Sequence, residues 1–400
     1  MIWLFASTIA LLPLSQGLVE FEIAGITFHI YTFAIVVMIP LIIWRMIFNA
    51  YEFGYSLLDM LIGILAFVFL QSTLLSDNII HSGHLAFHAL FIPIVSYFFS
   101  KAFIATDDEY KLSIKSLLMS LVIFSGATVY NFIKLGQRPY VFDVSPISVA
   151  TLLVIPVIYI LYDEGKWGLF RISFLGLAVA GLVATMSRVY LFMVVVSPLL
   201  YILLKSRPIL TWISMFIITL ILTFLITFKV TPQVNYGHSV EGLTTFQRMY
   251  NIRYIQQALS GRVISYRESL RKFEKHYILG EGIQAARYQI TPHNFHIEWL
   301  RYGGVVGYII YVLVFLSHIY SISLFVKRDN LLLINNMLLI MIMVNSFTNG
   351  FMHGLMPYAA FLLMGLSEAR VNMHKSRLLR SARIQGKDNN KIRKAFVRIA

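Results

Sequence analysis

The residues best suited to chemistry lie in the stretch TPHNFHIEWLRYGGVVGYII, residues 291–310, where polar side chains precede an apolar run. An unperturbed imidazole titrates at about pH 6.5, so His293 could accept a proton from an attacking hydroxyl at ambient pH. Asn294 could orient a substrate or cap the following helix, and its residue type favours the cap. Glu298 could replace His293 as the base, or it could form an ion pair with Arg301.

Arginines form a second group of candidate residues. A planar guanidinium matches phosphate oxygens with two hydrogen bonds and keeps its charge in a partly dry site. Arg188, in the stretch TMSRVYLF, lies at the outer end of an apolar segment, where ionised groups are costly and tend to be functional. Its side chain could equally extend to lipid headgroups. Arg262 follows in a polar segment, with Arg267 and Arg271 added from local charge, and together they predict a binding site for a lipid diphosphate.

The sequence predicts neither a metal nor a cofactor for this site. The outer segments lack an Asp-x-Asp pair and contain few of the carboxylates that hold Mg²⁺ or Mn²⁺. Asp107, Asp108 and Glu109 do cluster, but on the opposite predicted side of the membrane. The chain has no cysteine, which excludes disulfides and thiolate chemistry.

Composition indicates that these residues belong to an integral membrane protein. Hydrophobic residues make up 58% of the chain and charged residues 13%, whereas about a quarter of the residues in a soluble domain are charged. The apolar runs are continuous and lack two-residue alternation, which favours membrane-spanning helices over outer-membrane strands. The net charge of +14 is divided between the two faces of the membrane, so we expect no nucleic-acid partner.

Apolar runs of about 20 residues, the length that crosses a bilayer, recur along the chain and predict about twelve spans. The first is interpreted as a retained helix because it has no basic n-region and no convincing cleavage site. The predicted spans are residues 1–18, 26–47, 56–75, 84–103, 112–132, 147–162, 167–186, 188–204, 209–228, 304–326, 331–347 and 351–366.

Basic residues favour the cytoplasmic side of the membrane and orient the predicted spans. Residues 370–400 contain ten basic residues against one aspartate, so this tail is predicted to be cytoplasmic. An even number of crossings then places the N-terminus on the same side. The predicted regions are 1–228 with nine spans, 229–303 as a periplasmic loop, 304–369 with three spans, and the tail.

The loop 229–303 is too long for a passive turn and contains ten basic residues against five glutamates. Basic residues usually collect on the cytoplasmic side of a membrane protein, so an excess of positive charge on the outer face suggests an anionic ligand. Apolar residues at steps of three and four predict an amphipathic helix within the loop. These residues are Val263, Tyr266, Leu270, Phe273 and Tyr277. The following LGEG, Leu279 to Gly282, is a turn signal that ends the helix.

Residues 293–307, HNFHIEWLRYGGVVG, resemble the signature of the O-antigen ligase and O-antigen polymerase superfamily, in which a His-Asn pair precedes a Gly-x-x-Gly pair. Residues 261–282 are similar to the family's stretch with an arginine, an aromatic, an apolar pair and a closing Gly-x-Gly. The matching positions are His293, Asn294, Gly304, Gly307, Arg262, Tyr266, Leu270, Phe273, Gly280 and Gly282. MSRVYLF also resembles the family's Ser-Arg element at a periplasmic helix start. Tyr266 stands where tryptophan is frequent, and Tyr277 where proline is.

The resemblance implies an inverting glycosyltransferase of the GT-C kind in the bacterial inner membrane, with its active site on the periplasmic side. It implies that a glycan moves from undecaprenyl pyrophosphate to an acceptor hydroxyl. Arg188 and Arg262 would then hold the pyrophosphate, and His293 would activate or orient the acceptor. Partners besides the bilayer would be the lipid-linked oligosaccharide and a chain-length regulator.

Three functions remain open from the sequence. A polymerase, which we favour, uses a second lipid-linked repeat unit as acceptor, and a ligase uses the lipid A core. A transporter or flippase for lipid-linked glycans would bind its cargo through the arginines without chemistry. Such a protein should show polar features accessible from both sides, whereas the sequence suggests that they converge on the outer side.

Overall fold

Helices account for nearly all of the structure, a computed structural model. It describes residues 2–14, 20–23, 26–48, 54–136, 141, 145–164, 168–229, 252–283, 293–350 and 355–384. The helices are α1 (Ile2–Ala10), α2 (Ile30–Phe48), α3 (Leu57–Leu74), α4 (Ile79–Phe103), α5 (Asp107–Leu135), α6 (Pro146–Tyr162), α7 (Leu169–Ala184), α8 (Arg188–Ser206), α9 (Pro208–Lys229), α10 (Ile252–Lys275), α11 (Phe295–Ser323), α12 (Asn330–Asn349) and α13 (Met356–Ile384).

Eight helices of the described ranges are long and apolar enough to cross a membrane: α2, α3, α4, α5, α8, α9, α11 and α12. Two shorter apolar helices, α6 and α7, have 17 and 16 residues. This confirms a polytopic membrane protein.

The N-terminal region differs from the prediction. A helix was expected through Leu18, but α1 ends at Ala10 after 9 residues and a short 3₁₀ turn follows, so it is too short to span a bilayer. Strands β1 (Glu20–Ile23) and β2 (Ile26–His29) then form an antiparallel hairpin in which Glu20 pairs with His29. The second predicted span therefore begins at Ile30 rather than Ile26.

Two C-terminal boundaries also differ from the prediction. The tenth predicted span starts at Gly304, whereas α11 starts at Phe295 and is broken at Gly304. Helix α13 continues to Ile384, so the first part of the predicted basic tail is helical. The rest of that tail, residues 385–400, lies outside the described residues.

Helix α12 lies in the centre of the bundle and connects its two ends. Within its apolar part, Asn330–Phe347, 83% of the residues are buried, against 22% for Pro208–Phe228 on the periphery. We call the end where α12 begins the Asp329 end and the end where it finishes the His293 end. Twenty helical residues separate the two ends by about 30 Å.

Candidate functional site

The candidate site is built around a break in α11. Gly304 has φ 65° and ψ −169°, which divides the helix into a first half, 295–303, and a second half, 305–323. Such a break exposes backbone groups that lipid cannot satisfy, so it requires partners from elsewhere in the protein. The Gly-x-x-Gly pair of the sequence motif therefore includes the residue at which the chain changes direction.

The segment Tyr277–Gly282, which follows α10, supplies these partners. The backbone N–H groups of Glu281 and Gly282 donate to the carbonyls of Arg301 and Tyr302, at 3.0 and 3.1 Å. The N–H groups of Val305 and Val306 in turn donate to Tyr277 and Ile278, at 2.8 and 3.2 Å. Both half-helix ends at the break are thus bonded to one segment that precedes them in the chain.

Glycine is required where this segment and the break meet. A Cβ on Gly304 would lie 2.2 Å from the Ile278 carbonyl oxygen, and one on Gly280 would lie 2.3 Å from the Tyr302 carbonyl. Both residues also have positive φ, 65° and 75°, a conformation that L side chains rarely adopt. One glycine of each pair noted in the sequence, Gly280 and Gly304, therefore serves a single interlocked contact.

The break lets the first half of α11 fold back and pack against the second half. The Trp299 ring stacks on Tyr311 with centroids 4.0 Å apart, and the His296 Nδ1 lies 2.9 Å from the Tyr308 hydroxyl. This fold-back brings the start of α11 against α9 and the end of α12.

Asn294 is the N-cap of α11, the interpretation that its residue type favoured. Its buried Oδ1 accepts from the N–H groups of His296 and Ile297, at 3.0 and 3.3 Å. Its Nδ2 donates to Thr223 Oγ1 and to the Phe347 carbonyl, at 3.0 and 3.2 Å. The side chain thus fastens α11 to α9 and α12, and these contacts engage both its oxygen and its nitrogen.

His293, the residue before the cap, is held in an uncommon conformation. Its φ is 46°, in the left-handed region, and its side chain is exposed. The Tyr266 hydroxyl donates to its carbonyl at 3.4 Å, and its Nδ1 lies 3.5 Å from the Asn349 carbonyl oxygen. With the proton on Nδ1, the ring donates to Asn349 and Nε2 is the basic nitrogen. A local backbone strain of this kind is a common feature of functional sites.

Two asparagines of α12 that the sequence analysis missed link His293 to the bundle. The Asn349 Nδ2 donates to Asn345 Oδ1 at 2.8 Å, and Asn345 is also in hydrogen-bond contact with the Tyr190 hydroxyl of α8. That hydroxyl donates to Thr151 Oγ1 at 3.0 Å. A signal was present in the sequence, because two asparagines one turn apart in an apolar span are unusual.

Threonines of α9 were missed in the same way. Thr219, Thr223 and Thr227 recur at steps of four and form one buried polar face. Thr219 lies 3.2 Å from His296 Nε2, and Thr223 binds Asn294. These hydroxyls also donate to carbonyls of their own helix, which allows them to lie within an apolar span.

Arg188 and Arg262 lie on helices that contact this region. Arg188 is the first residue of α8 and is exposed, two residues before Tyr190. A cation at a helix N-terminus is unfavourable to the helix dipole, so helix stability does not explain it. Arg262 is half-buried on α10, one turn before Tyr266. Burial raises the pKa of Tyr266, and the charge of Arg262 opposes that rise.

The other two arginines of α10 have partners within the protein. The Arg267 Nε donates to the Thr227 carbonyl at 2.9 Å, where its charge favours the C-terminal end of α9. Arg271 donates to Glu268 at 3.0 Å and its side chain is 71% exposed. Substrate binding by either residue stays a prediction from local charge.

Arg301 forms a buried ion pair with Glu281, and not the pair with Glu298 that the sequence allowed. The Arg301 side chain is 1% exposed and also donates to Ser269 of α10 at 3.3 Å. Glu298 is fully buried, and its carboxylate packs against Gly350, where an added Cβ would lie 2.2 Å from Oε1. Both residues therefore lie inside the protein wall that supports the site.

The amphipathic helix expected in the loop corresponds to α10. Val263 and Tyr266 are buried, as the periodicity predicted. Tyr277 was placed on the same stripe, but α10 ends at Lys275 and Tyr277 is 58% exposed. The helix ends earlier because the chain must turn to reach the break in α11.

A second polar cluster lies at the Asp329 end, contrary to the expectation that polar features converge on the outer side. Lys101 and Asp59 form a buried ion pair at 2.5 Å, and the Tyr97 hydroxyl donates to the same carboxylate at 2.7 Å. His318 and Glu368 are fully buried and lie 3.7 Å apart. Both ends of the bundle therefore contain buried polar groups.

Among the residues that the structure describes, no group of three or more histidine or acidic side chains could hold a metal ion. No protein-family model matches the chain, and no curated protein is similar to it in sequence. The resemblance to the O-antigen ligase and polymerase superfamily therefore rests on the motifs themselves.

Proposed function

We propose that the protein is an O-antigen polymerase, an inverting membrane glycosyltransferase of the GT-C kind. The observation that supports this proposal is the interlock of the two stretches that resemble the superfamily. Residues 261–282 and 293–307 are separate in sequence, yet they share four backbone hydrogen bonds at the break in α11, and Tyr266 binds the His293 carbonyl. Motifs that form one structural unit are better evidence than motifs that merely occur in one chain.

In the proposed reaction, a hydroxyl of one lipid-linked repeat unit attacks the anomeric carbon of a glycan on undecaprenyl pyrophosphate. The hydroxyl proton passes to Nε2 of His293 as the new C–O bond forms. The bond from the anomeric carbon to the diphosphate oxygen breaks on the opposite face, and the diphosphate leaves with the electron pair. Arg188 and Arg262 stabilise its negative charge, which is the main catalytic need when the leaving group is already a diphosphate.

The proposal includes an orientation in the bacterial inner membrane, with the His293 end facing the periplasm and both termini in the cytoplasm. Basic residues near the Asp329 end make contacts that support their lying on one side of the membrane. Arg45 donates to the Ala102 carbonyl at 2.9 Å, and Arg370 forms an ion pair with Asp329 at 2.6 Å. The partners would be lipid-linked oligosaccharides and a chain-length regulator.

A transporter or flippase for lipid-linked glycans is the second candidate, and the polar cluster at the Asp329 end favours it. Buried ionisable groups within membrane helices commonly line transport pathways. A ligase acting on the lipid A core would use the same donor and the same residues as the polymerase, so only its products distinguish it.

The test is a deletion strain of the source organism, assayed by its ladder of surface polysaccharide lengths. Loss of long chains, with one repeat unit still attached to the core, is the result expected for the polymerase. No repeat unit on the core would indicate the ligase, and accumulation of lipid-linked units in the cytoplasmic leaflet would indicate a flippase.

Complementation with variants then tests the site. Arg188→Ala and Arg262→Ala should fail to restore long chains while the protein remains in the membrane. Lys275→Ala is the matched control, because it removes an equal charge from an exposed residue in the last turn of α10. Equal ladders from all three variants would contradict the proposed diphosphate site.

A further inference from the structure

A groove at the Asp329 end, far from the candidate site, has the features of a lipid-binding site. It lies between α5, α6 and α7 and has a cavity volume of about 470 Å³, within the range of small-molecule sites. Its apolar walls include Ile114, Leu118, Met119, Val122, Phe170 and Phe174. Phe170 is 80% exposed, and its ring lies 5.8 Å from that of Phe174. The groove is therefore an apolar cleft that an acyl chain could enter.

Arg171 holds one wall of the groove in place. Its guanidinium donates to the Ile160 carbonyl through Nε at 3.1 Å and through a terminal nitrogen at 2.6 Å, and it forms an ion pair with Asp163 at 3.6 Å. These contacts fasten the start of α7 to the end of α6. Arg171 and Asp163 thus balance each other's charge at the mouth of the groove.

Lys111 and Lys115 give the mouth its net positive charge. They are exposed, line the groove and stand one turn apart on α5, where like charges repel each other. Neither makes an ion pair with a described residue.

Three of the carboxylates near the start of α5 and in the groove already have partners. Asp107 pairs with Arg370 and Arg377, and Glu109 completes the capping box with Thr106. Asp163 pairs with Arg171. Asp108 is exposed in the first turn of α5 and is not within ion-pair distance of either lysine. An anion bound between Lys111 and Lys115 would relieve their repulsion.

We propose that this groove binds an anionic glycerophospholipid from the adjacent leaflet. Its phosphate lies between Lys111 and Lys115, and one of its acyl chains occupies the apolar cleft toward Val122 and Phe174. Charge complementarity favours this occupant over a zwitterionic lipid, because the lysines attract net negative charge. The inference is independent of the proposed glycosyltransferase activity, since it concerns the other end of the bundle.

Native mass spectrometry of the full-length protein, titrated with phosphatidylglycerol or phosphatidylcholine, tests the proposal. The wild type should bind phosphatidylglycerol more tightly. A basic residue near anionic headgroups contributes about a 5-fold change in affinity, so Lys111→Gln with Lys115→Gln should weaken phosphatidylglycerol binding about 25-fold. Binding of phosphatidylcholine should not change in this double variant.

Two further variants separate charge from shape. Lys134→Gln removes the same charge near the other end of α5, and its affinity should stay within about 2-fold of the wild type. Met119→Trp leaves the charge unchanged but fills the groove, and it should weaken the binding of phosphatidylglycerol. Equal affinity of the wild type for the two lipids would overturn the proposal. So would a lipid-free dimer in which a second copy covers Phe170, or unchanged binding in the double lysine variant.

Discussion

The two ends of the bundle differ in the surroundings of the residues at their centre. At the Asp329 end, the charged groups around the start of α12 are paired with each other, as in the buried pair of Lys101 with Asp59 and the contacts of Asp329 with Arg370 and His374, whereas Lys111 and Lys115 on α5 are exposed. At the His293 end, the His293 and Arg188 side chains are exposed. The Tyr266 hydroxyl and the Asn349 carbonyl, both neutral groups, contact His293.

Buried paired charges hold helices together, whereas exposed charges at either end are open to a ligand. A buried carboxylate that is bonded to cations stabilises the fold only while the whole set is present, and an added ion would disturb it. An exposed charged side chain is accessible to a ligand from outside the protein, whereas a buried pair is not. The supporting wall of the His293 end does contain one buried ion pair, Arg301 with Glu281, which lies behind the exposed residues.

The largest expected effect is on activity at the His293 end. His293→Ala should lower the rate of chain extension by about 10²–10⁴-fold, because general base catalysis contributes that much. Its thermal unfolding midpoint should change little, since the side chain is exposed. The measurement is polymer formation by purified protein with lipid-linked repeat units.

His276→Ala is the matched control for this variant, since His276 is also exposed and follows α10. It should retain wild-type activity. Normal chain extension by the His293 variant would remove this residue from the mechanism.

The next effect concerns the stability of the wall behind the site. Arg301→Ala should lower the free energy of unfolding by about 3–5 kcal/mol, because it leaves the Glu281 carboxylate buried without its cation. Arg271→Ala breaks an exposed pair and should change it by less than about 0.5 kcal/mol. Denaturant titration in detergent measures both, and equal losses would refute the assignment of Arg301 to the wall.

A third prediction compares the two glycines of the Gly-x-x-Gly pair. Gly304→Ala should lower the free energy of unfolding by about 3 kcal/mol, because a Cβ there meets the Ile278 carbonyl and the backbone has positive φ. Gly307→Ala places its Cβ 3.4 Å from the Phe69 ring and should cost less than about 1 kcal/mol. Denaturant titration in detergent measures both variants. An unchanged free energy of unfolding for Gly304→Ala would mean that α11 is not broken there.

The smallest effect is a pH dependence at the Asp329 end. Burial by itself would raise the pKa of Asp329, but hydrogen bonds from His374 and Arg370 and the charge of Arg370 lower it from 3.8 to about 2. Since the pKa in the folded state lies below the unfolded value, the carboxylate stabilises the fold above about pH 4. That stabilisation is lost as the pH falls toward 2.

Thermal unfolding midpoints measured between pH 5 and pH 2 test this dependence. The wild type should lose stability over this range more steeply than Asp329→Asn, whose side chain cannot titrate. Asp108→Asn, at an exposed position of the same end, should follow the wild type. Identical slopes for Asp329→Asn and the wild type would show that this carboxylate does not carry the dependence.

The site was partly predictable from the sequence. The capping role of Asn294 and the buried stripe of α10 follow from residue type and spacing, because both depend on interactions within a few residues. The partners of Arg267 and Arg301 could not be predicted in this way, since a charged side chain binds whatever group the fold brings near it. The roles of Asn345 and Thr223 were missed for the same reason.

Residue types along the chain are enough to establish a polytopic helical membrane protein, because apolar length and composition govern which segments leave water. The break of α11 at Gly304 and its fold-back emerge from the three-dimensional structure, since the break depends on a backbone segment from elsewhere. Ser72, whose hydroxyl donates to the Tyr302 carbonyl at 2.6 Å, is 230 residues away from it in the chain. Hydrophobicity is a local property of each segment. In contrast, the backbone N–H and C=O groups at a helix break find hydrogen-bond partners only where distant parts of the chain approach them.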